Sequence, residues 1–299
     1  MDGRDGGDLD PCRRGDVDVH KKLRLKFTLK QGILKTKITL IDDRTRKKER
    51  SHSPPATGMS MRDKRPGGTL VENDLELYLR PTSFIDFDNP TVRDFAERVC
   101  QNMGNRSRKE KAIKLYYAVR DEIRYDPYDM QFSPEALKAS TVIRKGSGYC
   151  VAKAVVLAAV ARQQGIPSRI GFADVRNHLS TARLRELMGT DLFVYHGYTE
   201  LFLADKWVKA TPAFNLALCE RFQVKPLEFD GEDDSIFHEF NAVGQRHMQY
   251  VTDHGTFADL PFDEIFAAYR KQYPAMFAGS VRFQASDFHA EAEMEKQDI

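Results

Sequence analysis

The chain has 299 residues, of which 41% are hydrophobic and 30% are charged, a composition typical of a globular protein rather than a disordered or fibrous one. No stretch approaches the roughly 18 consecutive apolar residues that a membrane span requires, so we expect no membrane partner. The four cysteines lie far apart and form no CxxC pair. This spacing argues against a zinc site and a disulfide framework and favours a cytoplasmic location with reduced thiols.

Charge is distributed unevenly along the chain. Residues 1–70 carry 18 Lys/Arg against 10 Asp/Glu, a net charge of +8, whereas residues 71–299 carry 28 against 34, a net charge of −6. Residues 1–68 are rich in charge, Pro, Gly and Ser and predict a disordered basic tail, with a weak hairpin at 23–41 where apolar and basic residues alternate. Because no aromatic stacking platform is interleaved with these charges, the pattern favours a solvated tail over a nucleic-acid-binding one.

Residues 69–299 predict one α+β domain in which helices come first and an antiparallel sheet follows. Its core is expected at 105–216, and 217–299 is expected to be a C-terminal extension of mixed short helices and loops. At the start of the domain, three leucines alternate with polar residues in LELYLR, residues 75–80. This alternation suggests an opening strand.

Two helices are predicted next from their end signals. Asn89 is suited to cap the first helix, and Gly104 is expected to end it. Ser107 precedes Glu110 by three residues, which is the spacing of a capping box at the start of the second helix.

The stretch GSGYCVAKAVVLAAVARQQGIPSR, residues 146–169, predicts a helix that is buried nearly all round, with Cys150 at its first turn and Gly165 at its end. Unpaired backbone N–H groups and the helix dipole stabilise negative charge at a helix N-terminus. This place therefore predicts a lowered thiol pKa and a nucleophilic role for Cys150. The alternative is a structural cysteine that packs as a small hydrophobe.

A candidate base follows on a predicted hairpin, DLFVYHGYTELFLADKWVKATPAFN, whose turn is expected at 204–206. Its first strand carries His196, 46 positions after the cysteine. One face of that strand is expected to present Val194, His196, Tyr198, Glu200 and Phe202. A histidine on a strand is commonly structural, so the role of His196 depends on its combination with the cysteine helix.

This combination resembles the transglutaminase-like superfamily, a branch of the papain-like cysteine enzymes, and in particular bacterial-type proteins with such a domain. The resemblance covers roughly residues 113–215, about a third of the chain. It implies a papain-like core in which the cysteine helix packs on an antiparallel sheet. It also implies Cys150 as nucleophile, His196 as base, and the segment KWVKATPAFN as the place of the residue that orients the base.

Thr211 departs from the family pattern, because it stands where the family has an aspartate. Its hydroxyl is able to accept a hydrogen bond from the imidazole ring, but it carries no charge to stabilise the imidazolium. Asn215 or an acid from the C-terminal extension are the alternative partners. Glu200 is a poor substitute, since four strand residues separate it from His196 by about 13 Å.

The resemblance implies acyl transfer on glutamine amides or peptide bonds of a protein or peptide substrate, through a thioester and without a cofactor. Hydrolysis is favoured over crosslinking because no dedicated amine-binding feature is visible. The alternative is a domain that has lost catalysis and acts as a peptide-binding or scaffolding module. His238, His247 and His254 lie in an acidic region but match no familiar ligand spacing, so no metal is expected. The oligomeric state stays open.

Overall fold

The computed structural model describes residues 72–178, 180–237, 247–277 and 288–295. All of these residues belong to one compact unit of the chain, Gly58–Ile299. The predicted tail at 1–68, with its hairpin at 23–41, lies outside the described residues. In the described part of the chain, no helix combines the length and the apolar character needed to span a membrane. The cytoplasmic location stays a prediction.

Helices and strands are both present throughout the described residues. The helices are α1 (Glu72–Glu76), α2 (Pro90–Cys100), α3 (Arg108–Glu122), α4 (Ala139–Lys145), α5 (Cys150–Gln163), α6 (Ala182–Met188), α7 (Leu216–Phe222), α8 (Phe262–Gln272), α9 (Pro274–Phe277) and α10 (Phe288–Glu295). Leu77–Leu79 and Pro134–Leu137 form short 3-10 helices. The strands are β1 (Arg124–Tyr125), β2 (Ser147–Gly148), β3 (Ser168–Asn177), β4 (Leu192–Leu203), β5 (Lys206–Ala210) and β6 (Met248–Phe257). This composition confirms the α+β class.

The main sheet has four antiparallel strands in the order β5-β4-β3-β6, and α5 packs against β4 and β3. Strands β1 and β2 form a separate parallel pair directly before α5. The β4–β5 hairpin is confirmed, with its turn at Ala204 and Asp205, whose φ angles of 46° and 63° suit a tight two-residue hairpin turn. The predicted packing of the cysteine helix on an antiparallel sheet is therefore confirmed.

Helix α5 is the centre of the core. Every residue from Cys150 to Arg162 is buried, as its run of small and apolar side chains predicts. Gly165, just past the end of the helix, has φ of 71°, a left-handed conformation that ends helices well. Both predicted ends of this helix are therefore confirmed.

The opening strand predicted from LELYLR is wrong. These residues belong to α1 and the 3-10 helix that follows it. The buried side chain is Tyr78, which packs edge-on against Trp207 with ring centroids 5.1 Å apart, while Leu77 is 38% exposed. Since the helical turn presents Tyr78 to the sheet, burial does not follow the alternating leucines.

The start signals of α2 and α3 are confirmed. The Asn89 side chain accepts a hydrogen bond from the backbone N–H of Thr91 at 3.0 Å. Ser107 Oγ accepts one from the N–H of Glu110 at 3.2 Å, and Glu110 Oε2 accepts one from the N–H of Ser107 at 2.9 Å. The predicted end of α2 is wrong, because the helix stops at Cys100, four residues before Gly104.

The capping box of α3 generates a stability prediction. Ser107→Ala removes the hydroxyl that satisfies a free N–H at the start of α3, and we expect it to lower the free energy of unfolding by about 1 kcal/mol. The measurement is urea unfolding followed by circular dichroism. Ser133→Ala is the matched control, because Ser133 occupies an N-cap position without a capping hydrogen bond from its side chain. Equal effects of the two variants would contradict the role of the box.

Candidate active site

Cys150 lies at the first turn of α5, with its side chain turned to the sheet. Tyr149 precedes it in an extended conformation and contributes no capping hydrogen bond, so the N–H groups at the helix start are left for other partners. The backbone N–H groups of Cys150, Val151 and Gly197 lie near the Cys150 sulfur and act to lower the pKa of its thiol. Donors from two elements, α5 and β4, therefore converge on one atom.

The close contact between α5 and β4 requires glycine at position 197. A Cβ atom added there would lie 2.9 Å from the Cα atom of Val151, which is closer than real contacts allow. One helical turn further on, Thr199 Oγ1 donates a hydrogen bond to the carbonyl of Ala154 at 2.9 Å. These contacts hold the first two turns of α5 directly on the strand that carries His196.

His196 is 4% exposed and lines the same cavity as Cys150. The cavity walls are otherwise mostly aromatic and apolar: Tyr125, Met130, Tyr149, Met188, Phe193, Val194, Tyr269 and Tyr273. The volume of the cavity that the centre of a water molecule can occupy is about 20 Å³, which is room for one water. The thiol and the imidazole predicted from the sequence thus line one small cavity.

Helix α8 and the residue that follows it help to close this cavity. The Tyr273 hydroxyl donates a hydrogen bond to the carbonyl of Leu192 at 3.0 Å and accepts one from the N–H of Val194 at 2.7 Å. Tyr269, one turn earlier, is 4% exposed and also lines the cavity. Sequence reasoning missed both tyrosines; their spacing of four residues in the C-terminal extension is the one signal that they share a helix face.

Burial decides the protonation of the two groups. It raises the pKa of the Cys150 thiol to about 11, and the three backbone N–H groups, which act in the opposite direction, do not outweigh it. The lowered thiol pKa predicted from the helix N-terminus is therefore wrong for this closed site. Burial, and next the neighbouring His247, lower the pKa of His196 to about 4. At neutral pH the site accordingly holds a neutral thiol and a neutral imidazole.

Thr211 lies just after β5 and is 2% exposed, but it does not line the cavity. Its backbone N–H donates to the carbonyl of Ser235 at 3.0 Å, and its own carbonyl accepts from the Tyr116 hydroxyl at 3.2 Å. Its Oγ1 atom is buried and has no hydrogen-bond partner among the described residues. Among the described residues this hydroxyl therefore makes no hydrogen bond to His196, and the orienting role of Thr211 stays a prediction.

The Asn215 side chain forms hydrogen bonds with the backbone around the end of α3. Its Oδ1 accepts a hydrogen bond from the N–H of Tyr125 at 2.6 Å, and its Nδ2 donates to the carbonyl of Ile123 at 2.9 Å and to that of Arg120. The buried Lys153 donates to the same two carbonyls, at 2.5 and 2.8 Å. These bonds satisfy the C-terminal carbonyls of α3 and use the Asn215 amide, so Asn215 is not the partner of the His196 ring.

The other predicted partners are also accounted for. Glu200 accepts from Arg169 Nε at 2.7 Å, away from the cavity, and no Asp or Glu of the described residues lines the cavity. His254 Nε2 lies 2.6 Å from Asp174 Oδ1 on the neighbouring strand β3. His238 lies outside the described residues, and within those that are described no group of three or more His, Cys, Asp or Glu side chains is suited to a metal ion.

Comparison with known proteins supplies an independent finding. Residues 93–212 match the model of the transglutaminase-like superfamily. A solved structure from Cytophaga hutchinsonii, provisionally named a cysteine protease, is 16% identical with a TM-score of 0.37; the match covers 48% of this chain and 43% of that one, less than half of its length. None of the curated proteins matched. The stretch that matches the family model contains Cys150, His196 and Thr211.

Proposed function

We propose that Cys150 and His196 carry out acyl transfer on glutamine side-chain amides or peptide bonds of a protein or peptide substrate, through a thioester. The observation that carries this proposal is the convergence of three backbone N–H groups on the Cys150 sulfur in a cavity that His196 also lines. The family match over residues 93–212 supports the same class of chemistry. The identity of the substrate is left to experiment.

The neutral state of both groups supports general-base catalysis rather than a resting ion pair. A neutral imidazole is able to accept the thiol proton while the sulfur attacks the substrate carbonyl carbon and forms the S–C bond. Backbone N–H groups at the start of α5 are suited to stabilise the resulting oxyanion. The C–N bond then breaks as His196 returns the proton to the leaving amine or ammonia, and a thioester remains.

The second step decides between hydrolysis and crosslinking. In hydrolysis, water attacks the thioester, His196 accepts a proton from it, and the thiol leaves as the acid is formed. Crosslinking would need an amine in the same place. The cavity has room for a water molecule, and no carboxylate of the described residues lines it to bind an amine. These features favour a hydrolase or peptidase.

Substrate binding requires the cavity to open. An acyl group is larger than a single water molecule, so side chains that line the cavity, among them those contributed by α8 and Tyr273, are proposed to move to admit one. Opening also exposes the thiol to water and removes part of the burial that raises its pKa. Cys150 is therefore expected to become more reactive in the open form than in the closed one.

The alternative function is a peptide-binding or scaffolding module without catalysis. Two observations favour it: the Thr211 hydroxyl makes no hydrogen bond among the described residues, and burial raises the pKa of the Cys150 thiol. Such a module would bind peptides equally well with or without the thiol. Turnover and binding must therefore be measured separately.

The pKa of Cys150 generates a prediction about its reactivity without substrate. At pH 7 a thiol with a pKa of about 11 is ionised in roughly one molecule in ten thousand, whereas free cysteine is ionised to about 3%. We therefore expect iodoacetamide to modify Cys150 at least ~100-fold more slowly than free cysteine at pH 7. The rate should rise about tenfold per pH unit toward pH 11. Mass spectrometry of the Cys150 peptide measures it, and a plateau below pH 8 would contradict a neutral pair.

Turnover tests the proposed function itself. Ammonia release from glutamine-containing peptides and cleavage of a mixed peptide library are followed for the wild type and for single variants. Cys150→Ala and His196→Ala are each expected to lower the rate by ~10³-fold or more, because each removes a participant in bond formation. Cys100→Ala is the control, since this buried cysteine lies on α2 outside the cavity. Peptide binding without turnover, unchanged in Cys150→Ala, would favour the binding module.

Thr211→Val tests the third predicted site residue. Because the Oγ1 atom of Thr211 has no partner among the described residues, this nearly isosteric change should leave the free energy of unfolding unchanged or raise it. Thr199→Val is the matched control and should lower it by about 1 kcal/mol, since the Thr199 hydroxyl donates to the carbonyl of Ala154. Urea unfolding measures both. Unchanged turnover in Thr211→Val would remove Thr211 from the catalytic set.

A further inference from the structure

Strand β4 contains a bulge directly before His196. Ala173 of β3 pairs with His196, but the next pair in the ladder is Val175 with Phe193. One residue of β3, Asp174, therefore faces two residues of β4, which are Val194 and Tyr195. Bulges redirect side chains and are frequent beside active sites.

Tyr195 adopts a left-handed backbone conformation in this bulge, with φ of 53°. Residues other than glycine avoid that region because of a clash at Cβ, so the surrounding structure must hold it in place. The bulge also breaks the simple alternation predicted for β4. Phe193, Val194 and His196 all line the cavity, while Tyr195 does not.

Two side chains hold this conformation from the neighbouring strands. Asp174 Oδ1 accepts the backbone N–H of Tyr195 at 3.0 Å and lies 2.6 Å from Nε2 of His254 on β6. The His254 ring stacks on the Tyr195 ring with centroids 4.0 Å apart and an angle of 10° between the planes. Asp174, Tyr195 and His254, which we name the bulge clamp, thus form a closed set of contacts across β3, β4 and β6.

His254 is itself an extra residue in its strand. Phe172 pairs with Gly255 and Ala173 pairs with Asp253, which leaves His254 without a partner in the β3–β6 ladder. Gly255 has φ of 81°, a conformation that glycine adopts freely. The pairing of β3 with β4 and its pairing with β6 are therefore both irregular at the bulge clamp. This geometry lets Asp174 contact both neighbouring strands.

We propose that Asp174 and His254 are positioning residues for His196, which they orient through the backbone of the bulge rather than through a hydrogen bond to its ring. The proposal rests on the proposed function of Cys150 and His196. The predicted ring partners Thr211 and Asn215 do not supply this orientation in the closed site: the first makes no side-chain hydrogen bond among the described residues, and the second is held by α3. The ring of His196 instead packs edge-on against Phe237, with centroids 5.5 Å apart.

The substitution Tyr195→Gly provides a specific test of this arrangement. Asp174→Ala removes the acceptor that holds the left-handed N–H, so the bulge should relax and His196 should move from the sulfur. Tyr195→Gly removes the clash that opposes the left-handed conformation. In the double variant Asp174→Ala/Tyr195→Gly, the bulge no longer needs the clamp. A direct chemical role of Asp174 would not be rescued in this way.

The experiment measures kcat and KM on the peptide found to turn over, and in parallel the ring ¹⁵N–¹H NMR signals of His196, for the full chain. Asp174→Ala is expected to lower kcat by ~10- to 100-fold with KM changed less than about twofold, and to shift or broaden the His196 signals. In the double variant, kcat should rise at least about tenfold above that of Asp174→Ala, or return to the wild-type value where the loss is smaller than tenfold. The His196 signals should return to those of the wild type. Asp191→Ala is the control, because it removes a carboxylate that pairs with Arg176 at the margin of the same sheet.

Unchanged kcat and His196 signals in Asp174→Ala, or a double variant no better than the single one, would overturn the proposal. If Asp174→Ala does not fold, His254→Phe takes its place: it keeps the ring stack and loses the hydrogen bond, and a several-fold loss of kcat rescued by Tyr195→Gly is expected. If the wild type shows no turnover, the proposed function fails, but the NMR signals still test the positioning by themselves. Signals that are the same in the wild type and in the clamp variants would then overturn it.

Discussion

The close packing of α5 on β4 at Gly197 is the constraint on which the site depends. Because no Cβ atom fits between this residue and the backbone of Val151, the start of the helix and the strand meet at main-chain distance. The N–H of Gly197 thereby joins those of the helix around the Cys150 sulfur, and His196, one residue earlier on the strand, reaches the same cavity. A larger residue at this position would separate the helix from the strand. The backbone N–H groups and His196 would then move away from the Cys150 sulfur.

Two opposing effects act on the thiol, and their magnitudes determine its state. A helix N-terminus and three N–H groups favour the thiolate, while enclosure by aromatic side chains favours the neutral thiol. Enclosure prevails, as the raised pKa of Cys150 and the lowered pKa of His196 both indicate. The position of a cysteine at a helix start is therefore insufficient to predict its ionisation. The part of the fold that covers it matters as much, and here α8 contributes to that cover.

Local patterns predicted much of this fold and part of the candidate site. The capping box at Ser107, the buried helix from Cys150 and the hairpin after His196 each depend on interactions between residues close in sequence. Predictions failed where contacts between residues distant in sequence matter: Tyr78, in a helical segment, packs on Trp207, and Tyr269 and Tyr273 line the cavity more than 100 positions after the cysteine. The bulge at Tyr195 was equally hidden, since its cause is a carboxylate on one neighbouring strand and an imidazole on another.

The cover formed by α8 has a thermodynamic consequence for any ligand of the cavity. Tyr273 bonds to the backbone of β4 at both Leu192 and Val194, and these two hydrogen bonds would have to break for its side chain to leave the cavity wall. A ligand that binds only the open state has an apparent dissociation constant equal to its intrinsic value divided by the open fraction. Agents that populate the open conformer would thus strengthen binding without touching the ligand. The side chains of α8 and Tyr273 therefore compete with any ligand for this cavity.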